Sequence, residues 1–87
     1  MTDRSSLDQC ISSAQSVLET SKEQVKTAMK QEHYNDIDYS DAQFQLEQAL
    51  LSLESMMHNA NAEQRERIDR MVANIRNVQH QMIITPH

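Results

Sequence analysis

The sequence predicts an all-α protein, most simply a three-helix antiparallel bundle. The chain of 87 residues contains no glycine, and its single proline is Pro86. Apolar residues recur at alternating spacings of three and four, which is the period of a helix face that packs against other helices. Two short segments rich in Asn or Asp interrupt this pattern. They divide the chain into three helical stretches joined by short links, as in an up-down-up bundle.

The first helix is predicted over residues 6–33. Ser6 is followed three residues later by Gln9, the spacing of a capping box at a helix start. A heptad seam then runs along one face of the helix, as in a coiled coil. The residues of this predicted seam are Leu7, Ile11, Ala14, Leu18, Ser21, Val25 and Ala28.

The second helix is predicted over residues 41–59, after a turn at residues 34–39. Ser40 and Gln43 have the spacing of a second capping box, and Asp41 in the first turn suits the helix dipole. The predicted seam consists of Tyr39, Ala42, Leu46, Ala49, Leu53, Met56 and Ala60, with Leu50 and Met57 beside it.

The third helix is predicted over residues 62–84, leaving 85–87 as a tail. We interpret residues 59–61 as a turn, with Asn61 as the N-cap and Gln64 at the third helical position. The alternative is one continuous helix over 41–84 in a long two-helix hairpin that dimerises. The shift of the apolar phase before Ile68 favours the break.

The predicted seam of the third helix consists of Ile68, Met71, Ile75, Val78 and Met82, flanked by Val72 and Ile83. On the same helix, Glu63–Arg67 and Glu66–Arg70 are predicted i, i+4 ion pairs.

The charge distribution argues against nucleic acid as a partner. The net charge is −5, and residues 34–60 carry five acidic side chains without any Lys or Arg. A strongly acidic middle segment repels phosphate, whereas nucleic-acid binders carry a basic stripe.

We also expect no membrane partner, since no run of about 18 apolar residues occurs. The N-terminal segment lacks the apolar core of a signal peptide, and Cys10 is alone, so we expect a single cytoplasmic domain over residues 1–87.

The absence of glycine limits the kinds of functional site. Without glycine, the chain has no phosphate-binding P-loop, no GxGxxG motif and no type I′ hairpin turn. It also lacks GxSxG and HExxH motifs. We therefore expect no catalytic residues, no enzymatic activity and no cofactor.

A weak divalent-metal site in the turn between the first two helices is the alternative functional hypothesis. His33, Asp36, Asp38 and Asp41 lie close together in sequence and offer nitrogen and oxygen ligands. The simpler interpretation is a solvated turn followed by an acidic helix start.

Phe44 and Leu51 depart from the helical pattern and suggest a partner-binding surface. Both lie about 160–180° from the seam of the second helix, and His58 continues their line one heptad later. One exposed apolar residue is ordinary, but two stacked on a polar face suggest a contact surface. We therefore predict a protein–protein interaction module that binds a second copy of itself, as a homodimer, or another protein through these three residues.

Several segments resemble a known bacterial family. The stretch KQEHYNDIDYSDAQFQLEQAL at residues 30–50, QRERIDRM at 64–71 and HQMI at 80–83 are similar to the uncharacterised YtzC-like small proteins of Bacillus-type Firmicutes. The resemblance covers nearly the whole chain, and the HYND…YSDAQ junction is its most specific part. It implies a cytoplasmic, all-α bacterial protein and transfers no catalytic or binding residue.

Overall fold

The protein forms a three-helix bundle. A computed structural model describes residues 3–30 and 39–84, in which α1 spans Arg4–Lys30, α2 spans Ser40–Met56 and α3 spans Ala62–Ile84. A short 3-10 turn, Met57–Asn59, extends α2. The bundle measures 47 × 18 × 17 Å. The predicted fold class is therefore confirmed, and the alternative of one continuous helix over 41–84 is wrong, because Ala60 is extended with φ −81° and ψ 142°.

Polar contacts between helices fix their directions. Arg67 of α3 pairs with Asp8 of α1 at 3.0 Å, which places the starts of these two helices at the same end of the bundle. Glu54 and Glu47 of α2 meet Arg76 and Gln79 of α3, respectively, at 3.4 and 3.3 Å. Since residue numbers rise on α3 as they fall on α2 along these contacts, α2 runs antiparallel to α3.

The predicted seams form most of the core. In α1, Ile11 is only partly buried, while Ser21 is buried among apolar neighbours. In α2, the buried face is rotated toward Leu50, which is 4% exposed, and Ala49 is only partly buried. The larger side chain fills the centre of the bundle and the smaller one lies at its edge. The buried apolar residues are Leu7, Ala14, Leu18, Val25, Ala28, Tyr39, Ala42, Leu46, Leu50, Leu53, Ile68, Met71, Ile75, Val78 and Met82.

The first two helices begin differently from the sequence prediction. The Asp3 carboxylate accepts hydrogen bonds from the backbone N–H of Ser6 at 3.2 Å and from its hydroxyl at 3.1 Å. Asp3 therefore caps α1, and Ser6 already lies in its first turn. The backbone carbonyl of Tyr39 accepts from the N–H of Gln43 at 2.8 Å, so Tyr39 holds the N-cap position of α2 and Ser40 lies inside the helix.

The start of α3 follows the predicted capping box. The Asn61 side-chain oxygen accepts from the Gln64 N–H at 2.8 Å, and the Gln64 side-chain oxygen accepts from the Asn61 N–H at 3.0 Å. Two N–H groups that the helix itself leaves unsatisfied are thereby satisfied reciprocally. This box separates α3 from the preceding 3-10 turn without any glycine.

Of the two predicted ion pairs within α3, one forms. Arg70 and Glu66 are 3.2 Å apart. The Glu63–Arg67 prediction is wrong, because the Arg67 guanidinium reaches across to Asp8 on α1.

Three predicted features lie outside the described residues: the continuation of the first helix to residue 33, the turn over 34–38 and the tail at 85–87. Within the described part of the chain, no helix combines the length and apolar character needed to cross a membrane.

Candidate functional site

The outward side of α2 carries two exposed apolar side chains. Phe44 is 65% exposed and Leu51 is 51% exposed. The helix buries Leu46, Leu50 and Leu53 against the other two helices, and residues 44 and 51 lie on the opposite side because each residue turns the helix by about 100°. Because they are seven positions apart in the sequence, the two residues are about 10 Å apart along the helix.

His58, the third predicted partner-binding residue, lies in the 3-10 turn after α2. It is exposed, as Phe44 and Leu51 are.

Phe44 also borders an open groove between α1 and α2. The groove has a volume of about 710 Å³. Its α1 wall consists of Ser6, Gln9, Cys10, Ser13, Ala14 and Val17. Its α2 wall consists of Phe44, Gln45, Gln48, Ala49, Ser52, Ser55 and Met56. We call Phe44, Leu51 and this groove the docking face.

The residue types on the walls explain why the groove is open and why its described lining is uncharged. Ser and Ala side chains on both helices are short, so they leave space between the two helices. Among the described residues that line it, none is charged, although 24% of the chain is Asp, Glu, Lys or Arg. Glu47 and Glu54 of α2 are turned toward α3, where they meet Gln79 and Arg76. The described lining of the groove thus consists of apolar and uncharged polar side chains, although the protein as a whole is acidic.

Ile83 is a further exposed apolar residue, although the sequence pattern places it at the flank of the predicted α3 seam. It is 69% exposed. The Gln79–Glu47 contact sets the register of α3 on α2, and Ile83 lies one turn beyond Gln79, level with the first turns of α2. The pattern Ile75, Val78, Met82 already completes the α3 seam, so the spacing itself indicates that Ile83 falls outside it.

Cys10 lies in the wall of the groove, partly buried and with a free thiol. Burial raises the pKa of the Cys10 thiol, which lowers the fraction of reactive thiolate at neutral pH. The sequence pattern contained no signal for the groove, because the groove exists only where α1 meets α2.

The described residues do not bring the predicted metal ligands together. Asp41 is exposed in the first turn of α2, and His33, Asp36 and Asp38 lie outside the described residues. Within residues 3–30 and 39–84, no group of three or more His, Cys, Asp or Glu side chains is arranged to hold a metal ion.

A second, smaller depression of about 210 Å³ lies where α1 and α3 begin. Its wall includes Asn61 and Gln64, which bond each other in the capping box, and Arg67, which pairs with Asp8. The first contact caps the start of α3, and the second joins α3 to α1.

Two comparisons with known proteins agree on the family. The model of a family described as "Protein of unknown function (DUF2524)" matches residues 1–84. The chain is also 40% identical over 84 residues to "Uncharacterized protein YtzC" of Bacillus subtilis (strain 168), covering 97% of this chain and 93% of that protein. No solved structure matches the chain. The resemblance found in the sequence is therefore confirmed, and the chain belongs to the DUF2524 family.

Proposed function

We propose that this protein is a small, non-enzymatic protein–protein interaction module of the cytoplasm that binds through the docking face. The observation that carries the proposal is the exposure of Phe44 (65%) and Leu51 (51%) on one line of α2, next to a groove without charged lining residues among those described. Apolar side chains grouped on a surface favour burial against another molecule, at roughly 25 cal/mol per Å² of apolar area removed from water.

The bundle does not need these two side chains for its own core. The core already buries Leu46, Leu50 and Leu53 from the same helix. Phe44 and Leu51 are therefore available to a partner without unfolding of the module. Covering both would remove the two largest exposed apolar side chains of α2 from water.

The chemistry of the face favours protein over nucleic acid or membrane as the partner. Phosphate groups are held mainly by Lys and Arg side chains, and none of these lines the groove among the described residues. An acidic net charge of −5 also repels nucleic acid and anionic lipid. The heptad seams support a coiled-coil type of helix packing, to which a further helix can be added on the open α1–α2 side.

An affinity capture experiment tests the proposal. The wild-type chain is immobilised and exposed to cytosolic lysate of the source bacterium supplemented with a soluble, differently tagged copy of the chain. The same is done with the double variant Phe44→Ser/Leu51→Ser. A control double variant, Ala73→Ser/Asn77→Ser, introduces the same residue type at exposed positions of α3.

We expect the wild type and the control variant to retain a protein, be it the tagged copy or another, that the Phe44/Leu51 variant loses by at least about tenfold. Far-UV circular dichroism checks that all three chains are equally helical. Equal capture by all three folded chains, or no captured protein with any of them, would contradict the proposal.

A further inference from the structure

We propose that the occupant of the docking face is a second copy of this chain, so that the face forms a two-fold symmetric homodimer interface. Phe44 of each copy enters the α1–α2 groove of the other, and Leu51 packs beside it. This inference rests on the proposed function and names the partner of the same surface.

The first argument is that the face is complementary to itself. A two-fold interface uses the same patch on both copies, so that patch must present both the projecting and the receiving element. Here Phe44 projects from the rim of the groove, and Ser13, Ala14, Ala49 and Ser52 form walls of short side chains. One surface therefore contains both elements, whereas a partner of a different kind would need only one of them.

The second argument is electrostatic. Two copies that each carry a net charge of −5 repel one another at long range, so a contact between them is least opposed at a surface with few unpaired carboxylates. The described lining of the groove contains no carboxylate, and Glu47 and Glu54, the helical neighbours of Leu51, are hydrogen-bonded to Gln79 and Arg76 of α3, respectively. A basic partner would instead be recognised by acidic groups inside the contact.

The size of the face indicates a weak, reversible dimer. Both walls of the groove are about 16–18 Å long, and two packed helices are about 18–20 Å wide. This is on the order of 350 Å² per copy, below the roughly 800 Å² per partner of a standard stable interface. We therefore expect dissociation in the micromolar range or weaker.

Sedimentation velocity of the full chain, from about 1 μM to about 500 μM, provides the first measurement. We expect a concentration-dependent shift from monomer to dimer in the wild type. The Phe44→Ser/Leu51→Ser variant should raise the dissociation constant at least about tenfold, and Ala73→Ser/Asn77→Ser should leave it unchanged. Raising the salt concentration should leave dimerisation equal or stronger, because screening weakens the repulsion between acidic copies.

Alkylation of Cys10 provides a second measurement that reports on the groove itself, since it is the single cysteine of the chain. Its labelling rate should fall severalfold between the monomeric and the dimeric concentration range in the wild type, and should stay constant in the Phe44/Leu51 variant. Circular dichroism shows whether the variant is folded, and the single variant Phe44→Leu keeps an apolar side chain as a conservative test.

A wild-type chain that remains monomeric at the highest concentration would overturn the second-copy proposal. So would a dimer that persists in the Phe44/Leu51 variant or leaves the Cys10 labelling rate unchanged, because either result assigns the contact to another surface. If the chain is monomeric but captures a different protein that the double variant loses, the proposed function stands without the homodimer. If capture is equal for all folded variants, the proposed function itself fails.

Discussion

Leu51 and Leu53 are two residues apart on α2 and have opposite environments. Leu53 is fully buried among the three helices, whereas about half of the Leu51 side chain is exposed. Both residues contribute equally to the hydrophobic content of the sequence, so composition does not distinguish them. Their helical phase does, because the two side chains are separated by about 200° around the helix.

Alanine substitution at these two leucines provides a matched prediction. We expect Leu53→Ala to reduce the free energy of unfolding by about 2–5 kcal/mol, because it leaves a cavity in a packed core. Leu51→Ala should change it by no more than about 0.5 kcal/mol. Urea denaturation at low micromolar protein concentration, followed by circular dichroism, measures both. Similar losses at the two positions would contradict the described packing of α2.

Cys10 provides a prediction of pH dependence. Burial in the folded state raises the pKa of the thiol, so the thiolate fraction at a given pH is lower than in the unfolded chain. The pH midpoint of the iodoacetamide reaction rate should therefore be higher for the native monomer than for the chain in urea. Because the folded state favours the neutral thiol, its small contribution to stability is present below the unfolded pKa and is lost as the pH rises through the folded pKa.

The midpoint, rather than the absolute rate, is the informative quantity in that experiment, because steric access alone slows the reaction at every pH. Equal midpoints in the native and unfolded chains would show that the Cys10 thiol is as well solvated in the groove as in the unfolded chain.

At the scale of elements, the three helix starts differ in how far their sequences predict them. The Asn61–Gln64 box lies where the spacing predicts it, because both partners belong to the same turn and no other helix is needed to form it. At α1, Asp3 replaces the predicted Ser6 as the cap, since its carboxylate is a strong acceptor three residues earlier. At α2, Tyr39 is buried in the core and holds the N-cap position, so the helix starts at Ser40 instead of residue 41.

Removal of the α3 cap provides a prediction at this scale. Asn61→Ala should reduce stability by about 1 kcal/mol, within a range of about 0.5–2 kcal/mol, because it removes the side-chain acceptor for the Gln64 N–H. In a domain of this size, this corresponds to a decrease in Tm of roughly 4–8 °C. Thermal unfolding followed by circular dichroism measures the change.

The matched control for that cap is Asn74→Ala, at an exposed position in the middle of α3. It should leave Tm unchanged or raise it slightly, because alanine has the higher helix propensity. A decrease in Tm as large as that of Asn61→Ala would show that the loss is general to asparagine and unrelated to the cap.

At the scale of the whole molecule, α3 supplies the cations of the ion pairs that join the described helices. Arg67 pairs with Asp8 of α1, and Arg76 pairs with Glu54 of α2. All four side chains are 42% exposed or more, so water and salt screen their interaction. These pairs help to set the register of the helices, while the buried apolar residues provide most of the stability.

Neutralising both arginines tests whether the buried apolar residues, and not the ion pairs, provide most of the stability. The double variant Arg67→Gln/Arg76→Gln should lose no more than about 1 kcal/mol per pair at low salt, because exposed ion pairs contribute about 0–1 kcal/mol. The difference from wild type should shrink at about 1 M NaCl, where the Debye length is about 3 Å. Urea denaturation at the two salt concentrations measures the effect. A loss comparable to that of Leu53→Ala would show that these ion pairs contribute far more to stability than exposed pairs usually do.

The sequence by itself determined the fold class, most of the core and the family. A chain without glycine forms long helices, and the three-four spacing selects the buried face of each helix, because both properties are local to one helix. The exposure of Phe44 and Leu51 follows from the same helical phase. Only the tertiary structure decided that Arg67 reaches Asp8 instead of Glu63, that Leu50 replaces Ala49 in the core and that Cys10 lines a groove with Phe44. These features depend on how one helix is placed against another, and the spacing along a single helix carries no information on that placement.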